Sequence, residues 1–158
     1  MMKTLWKKRM MMICAMLLAF VFVLETPVQA ANPSCSALYD AVKGQCASGA
    51  KKVSKKTSCT FLTSTYRKKV SSFYYATDND QVYCVCIVKT KSSSDAKKIK
   101  SQFKQIYKGK KNDSYLSSSQ KKVVKAARYG SSGKYAWYIS MGTSSQNKKA
   151  EKALKKKL

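Results

Sequence analysis

Six lysines crowd the end of the chain: Lys148, Lys149, Lys152, Lys155, Lys156 and Lys157. Each carries a compact, strongly hydrated charge, so such a cluster attracts anions without reading their shape. A run of this kind also serves simply to keep a helix face in water. Cysteine is the second reactive type, at Cys35, Cys46, Cys59, Cys84 and Cys86 after the first thirty residues. Cys35 or Cys46 could pair with Cys59 in an oxidising compartment, and spacing alone does not assign the connectivity. The odd number leaves at least one thiol outside any intramolecular pair. Cys84 and Cys86 lie two apart in a strand-like run, so both point to the same sheet face. Zinc is disfavoured, because there is no C-x-x-C pair, no histidine and no repeated ligand spacing.

The missing histidine also removes the usual near-neutral general base and the base of Ser or Cys triads. A Ser–Lys dyad carries no information in a chain so rich in both residues. Beyond residue 30 the acids are Asp40, Asp78, Asp80, Asp95, Asp113 and Glu151. Asp40 and Asp95 read as residues near helix starts, where they complement the dipole. Asp78, Asp80 and Asp113 read as turn residues, and Glu151 stands among lysines. No pair of carboxylates is set out as an acid and base flanking a bond. Neither a G-x-x-x-x-G-K-[ST] loop nor a G-x-G-x-x-G turn is present. No catalytic constellation or cofactor motif emerges, which favours a binding or structural protein over an enzyme.

The elements that must position these residues are legible in outline. Cys35 to Cys46 predicts a helix capped by Ser34 or Ser36, with Leu38, Ala41 and Val42 on one face. Residues 47–60 read as a loop, and 61–66 as either a short helical turn or an irregular segment. Ser72–Thr77 and Val82–Val88 predict a hairpin around the Asp78-Asn79-Asp80 turn. Ser92 to Asp95 gives a capping pattern before a helix of about 15 residues, with Ala96, Ile99, Phe103 and Ile106 on its apolar side. A polar loop follows from Gly109 to Ser119. Val123–Arg128 and Lys134–Met141 then predict a second hairpin about Gly130–Gly133. A last helix opens at Ser144 or Ser145, with Ala150, Leu154 and Leu158 as its apolar stripe. Offsetting the chain by 52 residues gives seven identities in 22 ungapped positions, including Tyr83 on Tyr135 and Ile87 on Ile139. That weak repeat suggests two hairpin–helix units. The expected fold is α+β in the order α-ββ-α-ββ-α, an antiparallel sheet of about four strands with helices packed on one face. The other face, carrying Tyr and Lys, is expected to meet water.

The 158-residue chain has 32 Lys+Arg against 7 Asp+Glu, a formal charge of +25. Residues 1–30 read as a cleavable export signal, with Lys3, Lys7, Lys8 and Arg9 before the uncharged run Met10–Leu24. Fifteen residues at about 1.5 Å each fall short of a roughly 30 Å hydrocarbon core. Cleavage is expected near Ala30 or Ala31, leaving a single domain over 31–158 with charge +22. Neither Cys14 nor Cys35 follows a small residue at the end of the apolar run, so no lipid anchor is expected. The domain holds 26 Lys but only Arg67 and Arg128 as arginines. Arginine dominates bidentate readout of bases and phosphates, so this balance suits non-specific attraction to a polyanion.

The order of segments Asp80–Lys89, the Asp95-Ala-Lys-Lys-Ile helix start, Tyr115-Leu, Lys122–Ala127, Gly133–Ser140 and a closing Lys-rich helix resembles a family of small exported domains of unknown function from Gram-positive bacteria, many of them lipoproteins. The resemblance covers roughly 72–158. It implies an export-linked αβ domain and carries no activity or catalytic residue. The expected partners are therefore anionic cell-wall polymers or the membrane surface outside the cell. The alternative is a nucleic-acid-binding module that adds exposed aromatics, from Tyr74, Tyr75, Tyr83, Tyr135, Trp137 and Tyr138, to the lysines.

Overall fold

The computed structural model describes residues 32–45 and 50–158. The segment read as an export signal, and Cys46, lie outside the described residues. Among those described, the elements run α1 (Cys35–Lys43), β1 (Lys51–Lys52), a 3-10 turn (Lys56–Ser58), α2 (Ser64–Arg67), β2 (Val70–Thr77) and β3 (Cys84–Thr90). They continue with α3 (Ser93–Lys111), α4 (Ser118–Lys125), β4 (Arg128–Ser132), β5 (Tyr135–Ser140) and α5 (Ser144–Lys155). The fold is α+β, with one antiparallel sheet in the order β1-β2-β3-β5-β4.

Local chemistry accounts for most boundaries. Ser34 caps α1 by accepting from the Ala37 amide at 3.1 Å. Ser92 does the same for α3 from Asp95, whose carboxylate meets Lys69 at 2.9 Å. The β2–β3 connection is organised by Asp78, whose Oδ1 accepts from the amides of Val82 (2.8 Å) and Tyr83 (3.2 Å). Asp78 is thus a turn former, as its sequence neighbourhood predicts. Asp40 is not near a helix start: it sits in the second turn of α1 and pairs with Lys43.

Three further expectations need correction. The sheet has five strands, because Lys51–Lys52 adds a two-residue edge to β2 from a stretch read as loop. The segment around Val123 is helical. Ser117 and Gln120 form a capping box that starts α4, and this outweighs the β-branched Val123-Val124 pair. Consequently β4 begins at Arg128, and Gly130, read as a turn residue, lies inside the strand opposite Trp137. A Cβ at Gly130 would lie 2.4 Å from the Trp137 ring, so the indole occupies the space a side chain would need. The reversal falls instead on Gly133-Lys134, with Gly133 at φ +50°, the positive φ a II′ hairpin places first.

The third correction concerns the faces. Helices cover both sides of the sheet. On one side α3 packs Ala96, Ile99 and Phe103 against Cys84, Cys86, Val88, Ala136 and Tyr138, joined by Cys59, Phe61 and Leu62. On the other, Leu38 and Val42 of α1 and Ala150 and Leu154 of α5 pack against Val85, Ile87, Trp137 and Ile139. β5 is buried along its whole length and β3 nearly so. That explains why Val82–Val88 reads as an unbroken apolar run rather than an alternating one.

Candidate functional site

The three-layer packing brings helices from opposite faces to the β4 edge, and basic residues meet there. Arg128 opens β4. Its Nε donates to Glu151 Oε2 of α5 at 2.9 Å. Tyr129, the next residue, points to the opposite face and lies against Tyr107 of α3 with ring centroids 5.5 Å apart. Arg128 therefore lines two open depressions. One, of about 400 Å³, is bounded by Lys148, Glu151, Lys152, Lys155 and Lys156. The other, of about 540 Å³, is bounded by Lys100, Lys104, Tyr107, Lys125, Ala127 and Tyr129. Together they form a strip of seven lysines and one arginine with a single carboxylate.

That carboxylate is fully engaged. Glu151 is buried under α5, with Lys155 Nζ on Oε1 at 3.2 Å and Trp137 Nε1 donating to the same oxygen at 3.3 Å. Burial alone pushes the acid up, but the hydrogen bonds from Arg128 and Lys155 outweigh it and hold the carboxyl below the ordinary glutamate range. Lys155 also sits over the Trp137 ring, 5.6 Å from its centroid. Glu151 thus orients two cations at the lip of the depression while the other lysines keep their charge in water.

Of the six lysines singled out in the sequence, Lys148, Lys152, Lys155 and Lys156 line the first depression, and Lys149 and Lys157 are exposed outside it. Lys148, Lys152 and Lys155 fall within an arc of about 60° on α5, whereas Lys157 lies beyond the end of the helix. Sequence reasoning missed Lys100, Lys104, Lys125 and Arg128 as site residues. The i,i+4 spacing of Lys100 and Lys104 was the available signal. Nothing local marks Arg128.

The strand aromatics are mostly core. Tyr75, Tyr135, Trp137 and Tyr138 are buried, and half-buried Tyr74 stacks on Tyr39 at 4.0 Å. They do not form an open platform for bases. The cysteines also separate: Cys35 belongs to the α1–α5 side of the sheet, and Cys59, Cys84 and Cys86 to the α3 side. Cys35 is thus not placed to pair with Cys59. Cys84 and Cys86 share a face, as their spacing predicts.

The other acids are engaged elsewhere: Asp80 accepts from Gln120 Nε2 of α4 at 3.1 Å, and Asp113 from the Tyr115 amide at 2.9 Å within its own turn. Among the described residues, no helix is long and apolar enough to cross a membrane. Compared with known proteins, the chain matches no family model, no curated protein and no solved structure.

Proposed function

We propose that this protein is a secreted, envelope-associated binding domain that holds phosphate-rich polymers or lipid head groups against the strip centred on Arg128. The observation that carries the reading is the convergence of seven lysines and Arg128 from α3, α4, β4 and α5, with their one carboxylate buried and already paired. Attraction of this kind is electrostatic and shape-tolerant, at about 1 kcal/mol per lysine close to an anionic surface, and it decays within a Debye length. The lysine excess over arginine and the burial of the strand aromatics favour it over recognition of nucleic-acid bases.

The test is binding of the full chain to two probes, a glycerol-phosphate polymer and phosphatidylglycerol vesicles, across a salt series. Affinity is expected to fall by at least about tenfold between 50 and 200 mM salt on whichever probe represents the physiological surface. Salt-independent binding, or none to either probe at low salt, contradicts the proposal. Tighter binding to single-stranded nucleic acid than to both probes favours the nucleic-acid alternative.

A further inference from the structure

Cys59 and Cys86 face one another inside the core on the α3 side of the sheet, with their sulfurs 3.8 Å apart. Both are fully buried. They belong to segments that nothing in the chain order forces together: Cys59 follows the 3-10 turn, and Cys86 lies in β3, the middle strand of the sheet. The stretch around Cys59 has little regular structure of its own. It is held by Phe61 and Leu62 in the core, by Thr60 Oγ1 against the Tyr75 hydroxyl at 3.1 Å, and by Lys56 Nζ donating to the Val70 carbonyl at 3.1 Å. Arg67 Nη2 donates to the Cys59 carbonyl at 3.2 Å, while its buried Nε has no partner among the described residues.

The two thiols are electrostatically unequal. The hydrogen bond with Cys86, more than offsetting burial and aided by the nearby Arg67 charge, holds the Cys59 thiol below its ordinary value. Burial above all pushes the Cys86 thiol up. Both shifts belong to the docked fold, in which neither sulfur is reached from solvent.

We propose that Cys59 and Cys86 are joined by a disulfide that staples the 53–62 segment to the central strand, leaving Cys84 as a thiol. The oxidant is a second disulfide, small or protein-borne. The Cys59 thiolate attacks one of its sulfurs, forming a mixed disulfide and releasing one thiolate. The Cys86 thiolate then attacks the Cys59 sulfur and releases the other. Two protein thiols are oxidised, the oxidant is reduced to two thiols, and the protons lost by the cysteines are taken up by the departing sulfurs. Closing the bond draws the sulfurs from 3.8 Å to about 2.05 Å. Neither sulfur is exposed in the fold, so exchange precedes docking of the segment, and the finished bond is shielded from reductants. The inference does not rest on anion binding. It needs only an oxidising compartment.

The test is disulfide mapping of the full chain refolded in a mixture of oxidised and reduced glutathione, alkylated in denaturant and digested with trypsin without reduction. The expected product joins peptide 57–67 to peptide 70–89. The second peptide contains both Cys84 and Cys86, so fragmentation at Val85 must place the bond on Cys86, and the link must persist in a Cys84→Ala variant. A bond from Cys59 to Cys35, Cys46 or Cys84 overturns the proposal. So does complete alkylation of Cys59 and Cys86 after oxidation.

Discussion

Glu151 joins the strip to the core. One carboxylate holds Arg128 of the edge strand, Lys155 one turn further along α5 and the buried Trp137 indole. Its two cationic partners keep about half their side-chain exposure. Losing the carboxylate therefore strands neither charge, and the cost belongs with hydrogen bonds to charged groups rather than with broken buried pairs. Glu151→Gln keeps an acceptor for Trp137 and is expected to cost about 1–2 kcal/mol in urea unfolding. The pH dependence follows from the direction of the shift. A carboxyl held below its ordinary value leaves the native state binding fewer protons than the unfolded chain. Its stabilisation is present above the ordinary glutamate value of 4.5 and is lost as pH falls through the lower, folded value. Acid-unfolding curves of the wild type should accordingly steepen below that point, and those of Glu151→Gln should be flatter there. Identical curves would show that Glu151 contributes nothing to the coupling.

Among the elements, helix α3 was readable from the chain because its signals are local: Ser92 caps it, and Ala96, Ile99 and Phe103 recur at helical spacing. Helix α4 was not, since two adjacent valines mimic a strand and only the Ser117–Gln120 capping box argues otherwise. The faces were misjudged for a subtler reason. A single residue, Lys91, separates β3 from the cap of α3, whereas Met141 and Gly142 separate β5 from Thr143, the cap of α5. Side chains alternate along a strand with period two, so one added residue turns the following segment toward the other face. The two hairpin–helix units thus share their pattern and place their helices on opposite sides. Asn147 secures the second arrangement. Its Oδ1 accepts from the Met141 amide at 2.9 Å, and its Nδ2 donates to the carbonyls of Ala126 and Gly142 at 3.0 and 3.2 Å. Asn147→Ala leaves the buried Met141 amide and two half-buried carbonyls without this partner and is expected to destabilise the fold by about 1–3 kcal/mol in urea unfolding. A loss under about 0.5 kcal/mol, the usual range for an inert surface change, would show that the β5–α5 connection does not depend on it.

Across the whole molecule, net charge and charge placement are separate properties. The lysine cluster on α5 was visible in the sequence because its members are neighbours in the chain. Its continuation through Arg128 to Lys100 and Lys104 exists only once α3 and α5 flank the same sheet edge. A charge of +25 by itself favours any polyanion; the proposed strip adds that the position of the charges matters. The most direct measurement compares two triple variants with the same charge change, Lys148→Glu/Lys152→Glu/Lys156→Glu in the strip and Lys55→Glu/Lys68→Glu/Lys91→Glu outside it. All six positions are exposed, so both proteins keep their cores. At about 50 mM salt, where screening is weak, the strip variant is expected to lose at least about tenfold in affinity for the glycerol-phosphate polymer or vesicles, and the outside variant no more than about threefold. Equal losses in the two would contradict a localised site and leave only the overall charge.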